Sequence, residues 1–179
     1  KFARAYFSKS FKDIASYGYC ASKKETYFGL KLHALVTVDG FVSDFFLTPA
    51  GIDDRTAVFE LTENKQSIKI IADKGYIDNT LKNQLEIEKD ILLISLKRKN
   101  SKHPLEKRLR NVLSKTRRRV ETSFSQLSEQ FNINKVLAKS KWGLMLRITL
   151  KILAHNISFI INHILGNRKI AQIKQLVFG

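Results

Sequence analysis

Ile68-Lys69-Ile70-Ile71-Ala72-Asp73-Lys74-Gly75-Tyr76 is the stretch that decides the fold. A short β-branched run ends in an aspartate, and a glycine follows two residues later. A strand of this kind is bounded by turn chemistry, and an acid at its C-terminal end stands at the edge of the sheet where α/β proteins bind ligands. Asp73 is therefore the first candidate site residue.

Working outward, alternating elements appear on both sides. Upstream, Tyr27 to Val38 reads as a strand, Asp39-Gly40 is a hairpin turn signal, and Phe41 to Thr48 reads as the antiparallel partner. Pro49-Ala50-Gly51 ends that strand. Asp53 or Asp54 can cap a helix through Ala57, Val58, Leu61 and Thr62. Downstream, Asn79 or Thr80 opens a helix carrying Leu81, Leu85 and Ile87, and Ile91 to Leu96 is a further strand. The basic run 97–104 is a loop, because Pro104 disfavours helix at the residue before it.

From Leu105 an amphipathic helix is marked by Leu109, Val112, Leu113, Val120, Phe124, Leu127 and Phe131. Asn132-Ile133-Asn134 breaks it. A last helix is expected over 142–165, with Arg147, Lys151 and His155 on one polar face and Trp142 as a packing anchor. Those charges make it a core helix in preference to a membrane span. No membrane partner is expected. Residues 1–25 are expected to be an irregular basic lead-in, 26–165 a core, and 166–179 a basic tail. The order of elements predicts one α/β domain, a mixed sheet with helices packed on it.

Charge separates this chain from an average globular protein. There are 32 Lys+Arg against 16 Asp+Glu, a formal net charge of +16. Such an excess favours a polyanionic partner. Arg55, Lys97-Arg98-Lys99 and Arg117-Arg118-Arg119 are the expected DNA contacts, with a solvated basic face as the alternative for these clusters. Cys20 is the only cysteine, so neither an internal disulfide nor a cysteine-rich zinc site is available. A reducing, cytoplasmic, nucleoid-associated setting fits. The N-terminal residues lack the apolar run of a signal peptide and lack an initiating methionine, which suggests processing or a piece of a longer chain. His33 and His155 read as hydrogen-bonded core histidines rather than ligands.

Glu121 is the second candidate acid. It lies one helical turn after Arg117, beside the apolar stripe without belonging to it. Two carboxylates suit Mg²⁺, which keeps waters and takes phosphate oxygens as further ligands. The residue pattern leaves simpler roles open, a turn or cap for Asp73 and an intrahelical ion pair for Glu121.

Several blocks together resemble bacterial insertion-sequence transposases of the DDE class. They are Ala15-Ser16-Tyr17-Gly18 with Lys23-Lys24-Glu25-Thr26, Leu47-Thr48-Pro49-Ala50, Asp53-Asp54-Arg55-Thr56-Ala57, Ala72-Asp73-Lys74-Gly75-Tyr76, Arg118-Arg119-Val120-Glu121-Thr122 and Leu153-Ala154-His155. The resemblance implies a ribonuclease H-like fold and a triad of two aspartates and a glutamate holding Mg²⁺ or Mn²⁺. It matches Asp73 to the second aspartate and Glu121 to the glutamate, and suggests a catalytic role for Arg117. It implies DNA as partner, both element ends and target, and a homo-oligomer. The first strand and its aspartate find no counterpart between Lys1 and Phe11, and Asp13 is a poor substitute. Metal-dependent DNA cleavage and strand transfer are thus expected of the family, with little activity from this polypeptide. The alternative is a non-catalytic DNA-binding remnant.

Overall fold

The computed structural model describes residues 9–21, 24–73, 78–95, 106–174 and 176. Two compact units divide the chain, residues 1–52 with 120–179 and residues 53–119.

The first unit is built on a three-stranded antiparallel sheet, β1 (Ser16–Cys20), β2 (Glu25–Val36) and β3 (Val42–Pro49), in the order β1-β2-β3. The Asp39-Gly40 signal is realised as the β2–β3 turn, with Thr37 N–H donating to the Phe41 carbonyl at 2.8 Å. Gly40 takes φ 105°, a conformation only glycine adopts without strain. The Ser123 hydroxyl donates to the Gly40 carbonyl at 2.8 Å and ties the turn to a helix.

Opposing Leu32 with Leu47 and Ala34 with Phe45 puts apolar side chains on one sheet face. That face packs against Leu144, Ile148 and Ile152 of α4 (Lys141–Ile164) and Leu127 of α3 (Lys107–Glu129). Ser140 caps α4 by accepting from Gly143 N–H. Asn156 acts as a strand mimic: its amide accepts from Val42 N–H at 3.0 Å and donates to the Val42 carbonyl at 2.9 Å. A second cluster joins Phe159 to Ala171 and Ile173, so part of the expected basic tail is core.

The second unit holds a two-stranded parallel pair, β4 (Lys69–Ala72) and β5 (Leu92–Ser95), connected through α2 (Asn79–Lys89) and preceded by α1 (Asp54–Leu61). Val58 of α1, Leu81 and Leu85 of α2, and Ile91 and Leu93 make its core, with Ile68, Ile70 and Ala72 against them. Lys89 donates to the Thr62 and Glu63 carbonyls at 2.9 and 3.1 Å, supplying the cation that the end of α1 lacks in its own sequence.

The α/β character is as expected, but the strands form two small sheets. Further details differ from the sequence-based expectation, among them Leu109 and Val112 of α3, which are exposed. Residues 16–20 are a strand rather than irregular: Tyr17 and Tyr19 point outward in alternation, and Gly18 is required because a Cβ there would lie 2.4 Å from the Ala50 carbonyl oxygen. The cap of α2 is Asp78, not Asn79 or Thr80; its carboxylate accepts from the Thr80 and Leu81 amides. Ile87 is exposed, outside the apolar stripe of α2. Trp142 is 74% exposed and anchors no packing among the described residues.

Both histidines are buried and bonded, His33 Nε2 to Thr48 Oγ1 at 2.8 Å and His155 Nε2 to Gln126 Oε1 at 3.1 Å. Helix α4 is long and apolar enough to cross a membrane by length and composition, and a third of its most apolar window is buried inside the structure.

Candidate active site

Asp73 follows directly on β4. The parallel pairing ends at Ala72 opposite Ser95, so Asp73 is the first residue past the C-terminal edge of the pair. Its side chain is 61% exposed, and its Oδ1 lies 3.5 Å from Nη1 of Arg117 on α3, itself 44% exposed. At that distance the contact is an ion pair in near-aqueous surroundings. Lys74, Gly75 and Tyr76 lie outside the described residues.

Glu121 is exposed on α3, one turn beyond Arg117. Arg117 and Asp73 belong to residues 53–119 and Glu121 to the other unit. The structure thus brings together Asp73 and Arg117, while Glu121 is described within its own unit. Arg118 is exposed and Arg119 half-buried on the same helix. Lys97, Arg98 and Lys99 lie outside the described residues.

Arg55 has a different setting from an open phosphate contact. Its guanidinium reaches Asp53 at 2.6 Å and Asp78 at 3.1 Å. Those two carboxylates cap α1 and α2, so one side chain bridges two helix starts. Asp53, and secondarily Asp78, raise the Arg55 pKa further above its already high value. The Asp78 carboxyl is held below the usual range, first by the Leu81 and Thr80 amides and then by Arg55. Asp78 was missed in the sequence, although an aspartate placed before Asn79-Thr80 is a strong helix-start signal.

Among the described residues no group of three His, Cys, Asp or Glu side chains is placed to hold a metal ion. The remaining residues contain no Asp or Glu. Asp73 and Glu121, one in each unit, are each an exposed carboxylate, a group that Mg²⁺ takes one or two at a time while keeping its waters.

Helix α3 carries the basic run Arg117-Arg118-Arg119, a charge pattern suited to a polyanionic partner. The family model described as "Transposase DDE domain" matches residues 1–141. The chain belongs to this transposase family. Neither a curated protein nor a solved structure matches it. The family implies DNA as partner, and DDE domains generally use divalent metal. All of α4 after Lys141 lies beyond the matched region.

Proposed function

We propose that this chain is the catalytic core of an insertion-sequence DDE transposase with a ribonuclease H-like fold, in which Asp73 and Glu121 hold Mg²⁺ or Mn²⁺. The supporting observation is the 3.5 Å pair between Asp73, at the end of β4, and Arg117, one helical turn before Glu121 on the same helix. When bound, a divalent ion supplies Lewis-acid activation for phosphodiester chemistry.

The chain's own residues do the rest. The Asp73 and Glu121 carboxylates offer oxygen donors, and Arg117 holds the Asp73 carboxylate in one orientation. Arg118 and Arg119, with Lys97, Arg98 and Lys99, neutralise backbone phosphates, and Arg55 joins them when DNA competes with its carboxylates. In the reaction, water attacks phosphorus at the element end and the 3′-oxygen leaves. The freed 3′-hydroxyl then attacks a phosphodiester of target DNA, displacing a second 3′-oxygen.

One observation favours the alternative, a DNA-binding remnant without catalysis: among the described residues no group of three His, Cys, Asp or Glu side chains is placed to hold a metal ion. With two of the family's three acids assigned, the 179-residue chain is expected to have little strand-transfer activity by itself.

The test uses DNA carrying the sequences that flank the coding region, incubated with Mg²⁺ or Mn²⁺. The chain is compared with the same chain extended by any in-frame upstream codons. Metal-dependent cleavage by the extended form, abolished by Asp73→Asn, is expected. Cleavage unchanged in Asp73→Asn ends the assignment of Asp73. Salt-sensitive DNA binding without cleavage in either form establishes the remnant.

A further inference from the structure

Strand β1, at the edge of its sheet, presents two tyrosines to solvent. Tyr17 and Tyr19 are each 63% exposed, which leaves two large flat rings in water. The strand pairing sets Tyr17 opposite Phe28 and Tyr19 opposite Thr26, so these four side chains share one face of the β1–β2 ladder. Tyr17 stands edge-on to Phe28, with ring centroids 5.2 Å apart, a cross-strand contact that supports the pairing. Across from Tyr19 stands the small, exposed Thr26, so that ring meets no bulky side chain on the neighbouring strand.

The other face of β1 is closed. A Cβ at Gly18 would lie 2.4 Å from the Ala50 carbonyl oxygen, and the Ser16 hydroxyl accepts from Gly51 N–H at 2.7 Å. The backbone that carries the tyrosines is thus held against the residues that follow β3, and little ordering is left to do when the rings meet a ligand.

Spacing and charge name that ligand. Two side chains on one face of a strand stand about 6.8 Å apart, two residues at about 3.4 Å each. Bases stacked along one strand of a nucleic acid are spaced by about 3.4 Å. A gap of two such steps admits one base with a ring on each side of it. The formal net charge of +16 favours a polyanion over a protein or a neutral lipid surface. Lys24, exposed immediately before β2, offers a cation at this end of the ladder for an adjoining phosphate.

We infer that Tyr17 and Tyr19 form a slot for one unpaired base of single-stranded DNA. The inference rests on DNA being the partner of this family, and adds to it a site that reads the unpaired state. In a duplex a base must be unstacked and unpaired before it can enter such a slot; in a single strand it has no partner to leave. Stacking of this kind tolerates any base, because every base has a π-face.

The test compares two labelled probes by fluorescence anisotropy, an oligothymidylate of about 16 nucleotides and a fully paired duplex of the same length. The 179-residue chain is set beside Tyr19→Ala and beside the pair Tyr17→Phe with Tyr19→Phe. Tyr19→Ala leaves the Tyr17–Phe28 contact in place. Circular dichroism and the thermal midpoint report whether it folds; if it does not, Tyr19→Thr, a strand-forming residue without a ring, replaces it. Loss of the Tyr19 ring is expected to weaken oligothymidylate binding about 5- to 150-fold, the range for one base stack, and to leave duplex binding unchanged. The same fold-loss is expected at every salt concentration, because stacking releases no counterions. The Phe pair keeps both rings and is expected to bind as the unsubstituted chain does.

Oligothymidylate binding that survives loss of the Tyr19 ring overturns the inference, and so does an equal loss for single strand and duplex. In both cases DNA remains the partner and only the slot falls. Weakened binding in the Phe pair assigns the effect to the hydroxyls and also overturns the stacking slot. Binding of neither probe at low salt removes DNA as the partner, and the slot with it.

Discussion

Replacing Arg117 by methionine separates a structural ion pair from a functional one. The pair spans 3.5 Å between side chains that are 44% and 61% exposed. At water-like screening, two unit charges at that distance attract by about 1 kcal/mol. Ordering both side chains offsets part of this, and exposed pairs measure between about 0 and 1 kcal/mol. The expected loss of stability is therefore below about 1 kcal/mol, a fall in thermal midpoint of less than about 4 °C for a chain of this size. The loss should shrink further in high salt, where the screening length drops to about 3 Å at 1 M. Cleavage by the extended chain should respond far more. If Arg117 orients the Asp73 carboxylate, its removal misplaces a ligand by the order of an ångström, which costs on the order of 100-fold in rate. Arg117→Lys should recover part of that, since a point charge survives while the planar fork does not. Urea titration of the variants, with cleavage rates measured beside it, decides the matter. A stability loss above about 2 kcal/mol, or an unchanged cleavage rate, would refute the reasoning.

Other outcomes follow from the same structure. Replacing Arg118 and Arg119 together by glutamine should make the dependence of log affinity for duplex DNA on log salt shallower by about 1.8, two phosphate contacts' worth, as read by fluorescence anisotropy across a salt series. Gly18→Ala should destabilise the first unit by about 1–3 kcal/mol, because the new methyl meets the Ala50 carbonyl at 2.4 Å and backbone must move; denaturant midpoints measure it. Leu127→Ala empties a site that is 1% exposed and should cost about 2–5 kcal/mol. Burial lowers the pKa of His155 below its ordinary 6.5. The folded chain therefore keeps the ring neutral where the unfolded chain takes up a proton. Stability from this group is full above pH 6.5 and falls as pH drops from there toward the folded-state pKa. Urea midpoints between neutral pH and pH 5 should show that decline, and His155→Gln should reduce it.

Local signals read well from sequence where one residue type has one physical job. Asp39-Gly40 makes the turn because glycine alone suits φ 105°, and Asp53 caps α1 through its carboxylate. Strand β1 was hidden because Tyr17-Gly18-Tyr19 is too short for periodicity to show; its glycine is explained by Ala50, thirty-two residues away. The same distance problem hid the tail, since Ala171 and Ile173 are core only because Phe159 lies over them. On α4 the 3.6-residue period revealed an apolar helix, but not that two stripes share it and that only one is covered. Asp73 and Glu121 were legible as acids at telling positions. The partner of Asp73 was not, because an ion pair between Asp73 and Arg117 is a tertiary fact across forty-four residues. Arg55 looked like a free cation in sequence, and its engagement with Asp53 and Asp78 follows from the meeting of two helix starts.

The stitching of residues 170–172 into the first unit bears on how much of the chain that unit needs. The Asn162 amide donates to the carbonyls of Ile170 and Gln172, and the Gln126 amide to that of Ala171. Ending the chain before Ile170 would strand two buried amides and uncap the Phe159 ring. Loss of residues 170–172 should therefore be as disabling as missense changes in the middle of the sheet, because those residues close the amides and the ring of the first unit.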